Sequence, residues 1–136
     1  MIAPILILSI ILFVIAFVVT ENNAQYLLAG YNTMSEEERK NVDIKMYIAY
    51  FKRFHLFIAF SLLITSFLLL YFVGEEWSAI FMSTYPLLAY AYFIWSSRRF
   101  SKHISKQQKF ISYVSMAVLI VLACLIAYEL LIQMRL

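Results

Sequence analysis

The chain has 136 residues, of which 64% are hydrophobic and 14% are charged, and its formal net charge is +3. Charged residues make up roughly a quarter of a soluble domain, so this composition excludes an ordinary water-soluble domain. It also excludes a nucleic-acid-binding module, which needs a basic face on a folded aqueous domain. We therefore expect one membrane-embedded, all-α domain that comprises residues 1–136.

Four apolar runs without charged side chains follow one another along the chain. Each is close to the roughly 20 residues that a helix needs to cross a bilayer. Backbone groups within lipid must be hydrogen-bonded inside their own segment, so we predict an integral membrane four-helix bundle. The first run lacks the basic start and the small-x-small end of a cleaved signal peptide, so we expect it to remain as a helix. The runs are residues 2–19, 54–73, 78–97 and 110–128.

The basic residues predict how the four helices are oriented. Ten of the eleven Lys and Arg residues lie in two segments, residues 21–53 and 98–109. By the positive-inside rule both segments are cytoplasmic, and both chain termini therefore lie outside, an N-out/C-out arrangement. We therefore predict a multi-pass membrane protein that is surrounded by the lipid bilayer.

The segment between the first two runs contains strong signals for the end of one helix and the start of another. The first helix is predicted to continue past the membrane through residues 26–29 and to stop at Gly30, because glycine readily adopts the left-handed backbone of a helix C-terminus. A turn follows at residues 31–32, and Thr33 or Ser35 caps the next helix.

That next helix is predicted to begin with a capping box formed by Ser35 and Glu38, with the acids of residues 36–38 near the positive helix end. It either continues unbroken from residue 35 to residue 73 or bends near the membrane surface. The first two helices would then have cytoplasmic helical extensions that pack together through Tyr26, Leu27 and Leu28 on one side and Val42, Met46 and Tyr47 on the other.

Residues 27–38, LLAGYNTMSEEE, resemble a widespread bacterial family of small membrane proteins of unknown function. In that family a first transmembrane helix leads into an aGYNTMS-x-E-E motif and then a Lys-x-x-Asp continuation, which Lys40 and Asp43 match. More distantly, the glycine turn and acidic cap are similar to the SdpI-type toxin-immunity family. The resemblance covers residues 2–73. It implies a protein of the bacterial cytoplasmic (inner) membrane and, through the second family, a role in toxin immunity.

We call residues 30–38 the corner, and two interpretations of it stay open. A stop, a turn and a cap explain these residues by backbone needs alone. Alternatively, they form a polar docking surface for another protein. The predicted partner-binding residues are then Gly30, Tyr31, Asn32, Thr33, Ser35, Glu36, Glu37 and Glu38.

The third run is the most polar of the four and contains Pro86, which is predicted to kink its helix and free a carbonyl group. Thr84 and Tyr85 precede it in the outer half. They would contact a small ligand or a toxin segment if the kink opens a binding site. The other interpretation is a kink that serves packing only.

No residues have the spacing of a catalytic, cofactor or metal site. His55 and His103 lie near the cytoplasmic boundary, where packing and hydrogen bonding is the expected role, since their spacing matches no metal-ligand pattern. Cys124 is the only cysteine, which excludes an intrachain disulfide, and inside an apolar run we expect it to be buried.

The predicted function is therefore binding and not catalysis. We favour a small multi-pass protein that binds another protein, in particular an immunity protein against a membrane- or envelope-targeting toxin. The alternative is a subunit of an oligomeric transporter or channel, which would require a homo-oligomer and usually shows charge within the membrane. A membrane enzyme would need a His/Asp/Glu cluster at one leaflet. We expect no enzyme activity, no cofactor and no nucleic-acid partner.

Overall fold

The computed structural model describes residues 1–28, 30–102 and 104–135, and this part of the chain is all-helical, without a β-strand. The four long helices coincide with the four predicted runs, and two short helices lie between the first two of them. A 3-10 helix, Arg98–Phe100, precedes the last helix. The six α-helices are α1 (Ile2–Val18), α2 (Ala24–Leu27), α3 (Glu36–Lys40), α4 (Ile44–Phe72), α5 (Glu75–Ser97) and α6 (Lys106–Gln133).

Two of these helices, α4 and α6, are long and apolar enough to cross a membrane. Their most apolar 18-residue windows have mean hydropathies of 2.1 and 2.6. The apolar helix α1 has 17 residues and is shorter than such a window. The hydroxyl groups and tyrosines of α5 lower its hydropathy, although the helix has 23 residues. Length and composition thus single out two candidate membrane-spanning helices.

The long helices pack in the order α1, α4, α5, α6, so that α4 lies between α1 and α5 and α6 packs along α5. Gly74 forms the tight turn from α4 to α5. Its φ angle of +144° is strained for any residue with a Cβ atom, and its N–H donates to the carbonyl of Leu69 at 2.8 Å. The short turn explains why α4 and α5 are neighbours.

The core lies where α4 meets its two neighbours, and each helix contributes residues at helical spacing. From α1 the buried residues are Ile5, Ser9, Leu12 and Ala16. Phe93 of α5 stacks on Tyr50 with ring centroids 5.5 Å apart and also contacts Phe54 at 4.7 Å. The residues of α4 that are buried in this core are Phe51, Phe54, His55, Ile58, Ala59, Leu62 and Ser66.

The predicted extension of the first helix to Gly30 is wrong, because α1 ends at Val18. The side chain of Asn23 explains this end: its Nδ2 donates to the carbonyl of Val18 at 2.8 Å, and its Oδ1 accepts from the N–H of Thr20 at 2.7 Å. An amide side chain that satisfies these backbone groups stabilises a turn in place of a further helical turn. The short helix α2 follows the turn as a separate element.

The unbroken helix from residue 35 to residue 73 is also wrong, since α3 ends at Lys40 and Asp43 caps a new helix by accepting from the N–H of Met46 at 3.1 Å. The intervening residues pair with the segment that follows α5. The N–H of Asp43 donates to the carbonyl of Phe100, and the N–H of Lys102 donates to the carbonyl of Asn41, each at 2.9 Å. These bonds between two distant segments of the chain replace helical bonds at the break. They also bring the two basic segments together.

The predicted packing between the extensions is correct only in part. Leu28 is buried in the core cluster against which Tyr47 packs. Tyr26 and Met46, however, are 72% and 58% exposed, so this pair does not form the predicted contact surface. The break at residues 41–43 separates α3 from α4, so residues on the two helices do not share one continuous helical face.

Candidate functional site

A groove of about 790 Å³ lies at the end of the helices where the two basic segments meet. This volume is within the range of roughly 300–1,000 Å³ that is typical of small-molecule sites. Residues of α1, α4, α5, α6 and the corner line it together. Its walls are mainly aliphatic and aromatic, and include Ile15, Val19, Phe51, Phe93, Ile94 and Ile111.

The histidine at the side of this groove is held by two hydrogen bonds. His55 is 1% exposed, its Nδ1 lies 2.8 Å from the carbonyl oxygen of Phe51, and its Nε2 lies 2.8 Å from the hydroxyl of Tyr90. A carbonyl can only accept, so Nδ1 carries the proton of the neutral ring and Nε2 accepts from the tyrosine. Both ring nitrogens are therefore satisfied, in agreement with the predicted packing and hydrogen-bonding role of His55.

Four polar side chains of the groove lie near the end of α5 and the beginning of α6. Ser97, Arg98, Gln108 and Ser112 line this part. The guanidinium of Arg98 lies over the ring of Tyr113, 4.2 Å from its centroid. Arg98 is the one charged residue among the described residues that line the groove. The groove thus has an apolar part and a cationic, hydroxyl-bearing part.

Hydrogen bonds within the corner and from Arg39 connect its residues to one another. Gly30 has the predicted positive φ, +90°, and its carbonyl accepts from the hydroxyl of Thr33 at 3.0 Å. The predicted capping box forms: the side chain of Ser35 accepts from the N–H of Glu38 at 3.2 Å, and the carboxylate of Glu38 accepts from the N–H of Ser35 at 2.9 Å. Arg39 donates to two corner carbonyls, those of Tyr31 and Asn32, at 3.2 Å and 3.1 Å.

Three of the predicted partner-binding residues, Gly30, Tyr31 and Thr33, line the mouth of the groove. The others do not line it. Glu38 reaches the start of α6 through a contact of 3.5 Å with the amide of Gln108. The remaining four have exposed side chains: Asn32, Ser35, Glu36 and Glu37.

Thr84 and Tyr85 lie apart from the corner and do not line the groove. The hydroxyl of Thr84 donates to the carbonyl of Ile80 within α5, at 2.7 Å, and the hydroxyl of Tyr85 bonds to that of Ser61 on α4. The first of these bonds lies within α5, and the second joins α5 to α4. The helix α5 runs through Pro86, and a binding site at this position stays a prediction.

The remaining candidate residues have different outcomes. His103 lies outside the described residues. Within the described ranges, no three His, Cys, Asp or Glu side chains come together in a group that could hold a metal ion. Cys124 is exposed, so its predicted burial is wrong, because α6 contacts only one neighbouring helix along this part.

The pair of His55 and Tyr90 was not predicted from the sequence. His55 is the second residue of its apolar run, whereas Tyr90 lies seven residues from the inner end of its own run at Ser97. If the inner ends of the two apolar runs were at the same depth, His55 and Tyr90 would lie at different depths and would not be expected to meet. The offset between α4 and α5 that joins them depends on the Gly74 turn, and no local pattern indicates it.

The fold and the groove define an all-helical protein with candidate membrane-spanning helices. The chain belongs to the family described as domain of unknown function DUF3784, whose model matches residues 6–101. The match includes α2 to α5, nearly all of α1 and the whole corner, and it ends before α6. No curated protein and no solved structure matches the chain. The expected membership in a family of unknown function is confirmed and extends beyond residue 73, while the motif and the immunity likeness stay predictions.

Proposed function

We propose that this protein is a multi-pass protein of the bacterial cytoplasmic membrane, with four spans formed by α1, α4, α5 and α6 and both termini outside. The arrangement of charge supports this topology. Both basic segments lie at one end of the helices, where residues 41–43 pair with residues 100–102. The opposite end has the N-terminal ammonium group 3.4 Å from Glu75. A cytoplasmic location of the basic end follows the positive-inside rule.

Within this topology, we propose that the protein acts by binding another protein at the corner, as an immunity protein against a membrane- or envelope-targeting toxin would. The observation that carries the proposal is the hydrogen-bonded backbone of the corner combined with exposed polar side chains on Asn32, Glu36 and Glu37. A surface that is already ordered loses little conformational entropy when a partner binds.

Co-purification of the intact protein after photo-crosslinking at the corner tests this function. We expect the double variant Asn32→Ala/Glu36→Ala to reduce the captured partner by about tenfold, the size of effect typical for a central contact residue. Asn22→Ala is the matched control, because Asn22 is exposed in the same basic segment but outside the corner. Deletion of the gene should also reduce survival under exposure to the cognate toxin. Equal survival with and without the gene, or equal capture by both variants, would contradict the proposal.

A subunit of an oligomeric transporter or channel is the second candidate, and the exposed outer face of α6 favours it. Only 6% of the most apolar window of α6 is buried within the chain, so this face is available to a second copy. Ion or solute flux through vesicles that contain the purified protein would distinguish this function from immunity. Flux above that of empty vesicles supports transport, and its absence leaves binding as the favoured function.

A further inference from the structure

The groove has the polarity of a site for a molecule with one charged head and an apolar tail. Arg98 is the one charged residue among the described residues that line the groove, and Ser97 precedes it in the chain. Gln108 and Ser112 also line this part and lie on one turn of α6, where the hydroxyl of Ser112 donates to the carbonyl of Gln108 at 2.9 Å. The rest of the wall is predominantly hydrocarbon. A free inorganic ion would use the cationic part alone and leave the apolar surface hydrated, which is unfavourable.

Arg98 is compensated only in part within the described residues, because its guanidinium lies over the ring of Tyr113, 4.2 Å from the centroid, but most of its N–H donors have no strong acceptor there. Its Nε atom is buried without a hydrogen-bond partner there, and its Nη2 has only the weakly accepting sulfur of Met116, at 3.9 Å. No described carboxylate forms an ion pair with it. An unpaired charged donor that is partly removed from water is costly, and an anion in the groove would remove that cost.

We propose that the groove binds one anionic membrane phospholipid, with its phosphate at the guanidinium of Arg98 and an acyl chain along the apolar wall. The amide of Gln108 supplies a further donor near the head group, whereas the hydroxyls of Ser97 and Ser112 already donate to the carbonyls of Ile94 and Gln108. Val18, which is 49% exposed and lines the groove, contributes to the apolar part. Cationic grooves between membrane helices are known sites for anionic lipid head groups. Arg98 and Gln108 at the proposed head-group site are distinct from the corner side chains proposed to bind a partner, those of Asn32, Glu36 and Glu37.

The experiment compares lipids that differ only in head-group charge. The detergent-solubilised, delipidated protein is mixed with phosphatidylglycerol or with phosphatidylcholine, and bound lipid is counted by native mass spectrometry. We expect Arg98→Gln to reduce phosphatidylglycerol binding by about tenfold, as loss of a charge-assisted contact predicts. Arg99→Gln is the matched control, because Arg99 is exposed, lies over the ring of Tyr50 and does not line the groove.

A second pair of variants tests the apolar part independently of Arg98. Ile111→Trp fills the groove and should displace the lipid, whereas Val118→Trp, on the same helix but outside the groove, should leave binding unchanged. Circular dichroism confirms that each variant folds. The proposal is overturned if both arginine variants lose lipid equally, if phosphatidylcholine binds as well as phosphatidylglycerol, or if inorganic phosphate alone displaces the bound lipid.

Discussion

The helices α4 and α6 are almost equally apolar but differ in how they pack. Their most apolar windows have mean hydropathies of 2.1 and 2.6, yet 33% of the α4 window is buried and only 6% of the α6 window. α4 lies between two helices and forms hydrogen bonds through His55 and Ser61 to tyrosines of α5. α6 packs along α5 only, and among its described residues Ala123 alone is buried.

The difference shows that hydropathy indicates whether a helix can enter a membrane, but not what it contacts there. A lipid tail is as apolar as a leucine side chain, so burial within the bundle depends on shape and on polar pairs. The family match follows the same division, because residues 6–101 include α4 and exclude α6. The packed core around α4 therefore lies within the matched residues, whereas α6 lies beyond them.

Truncation of a central leucine should give the largest difference between the two helices. Leu62 on α4 is 0% exposed, and Leu125 on α6 is 54% exposed. We expect Leu62→Ala to lower the free energy of unfolding by about 2–3 kcal/mol, because a cavity remains in the core. Leu125→Ala should change it by less than about 0.5 kcal/mol. Denaturant titration in detergent micelles measures both, and equal losses would mean that α6 is as tightly packed as α4.

The polar pair of His55 on α4 and Tyr90 on α5 should have a smaller effect. His55→Leu and Tyr90→Phe each remove the bond between the imidazole and the hydroxyl, and we expect each to cost about 1 kcal/mol. The double variant should cost less than the sum of the two, because the same bond is lost only once. Tyr92→Phe is the control, since Tyr92 is exposed. Additive losses in the unfolding titration would show that the two side chains are not coupled.

Removal of the helix caps should have the smallest effect and should not distinguish the two helices. Asp43 caps α4, and Ser105 caps α6 by accepting from the N–H of Gln108 at 3.1 Å. Asp43→Ala and Ser105→Ala should each cost roughly 0.5–1 kcal/mol, because a cap acts on local backbone groups and not on burial. Hydrogen exchange at the first turn of each helix measures the effect. A loss at one helix only would show that its cap also has a tertiary role.

Much of the corner could be predicted from the sequence because its interactions are local. The capping box of Ser35 and Glu38 and the positive φ of Gly30 depend on residues within one turn of the chain. The sequence left open whether the second helix continues or bends, because the break at residues 41–43 depends on bonds to residues 100–102, about sixty positions away in sequence. The end of α1 is a different case, since Asn23 acts locally but the apolar residues 26–28 suggested a continuing helix.

The candidate site could be predicted only in part, for the same physical reason. The corner residues were identified as candidates, and Gly30, Tyr31 and Thr33 do line the groove. Arg98 was placed only within a basic segment predicted to be cytoplasmic, because the surroundings of its guanidinium depend on the packing of α6 against α5. The pairing of His55 with Tyr90 depends on the offset between two neighbouring helices, which no residue of either helix encodes alone.

The sequence by itself predicted an all-helical protein with candidate membrane-spanning helices, because the length and hydropathy of apolar runs are sums over residues. It also determined the local structure of the corner. Only the tertiary structure decided which helix is central, which polar side chains meet and where a groove remains. Those outcomes depend on how side chains from distant segments fit together, and that fit is a property of pairs of helices and not of single segments.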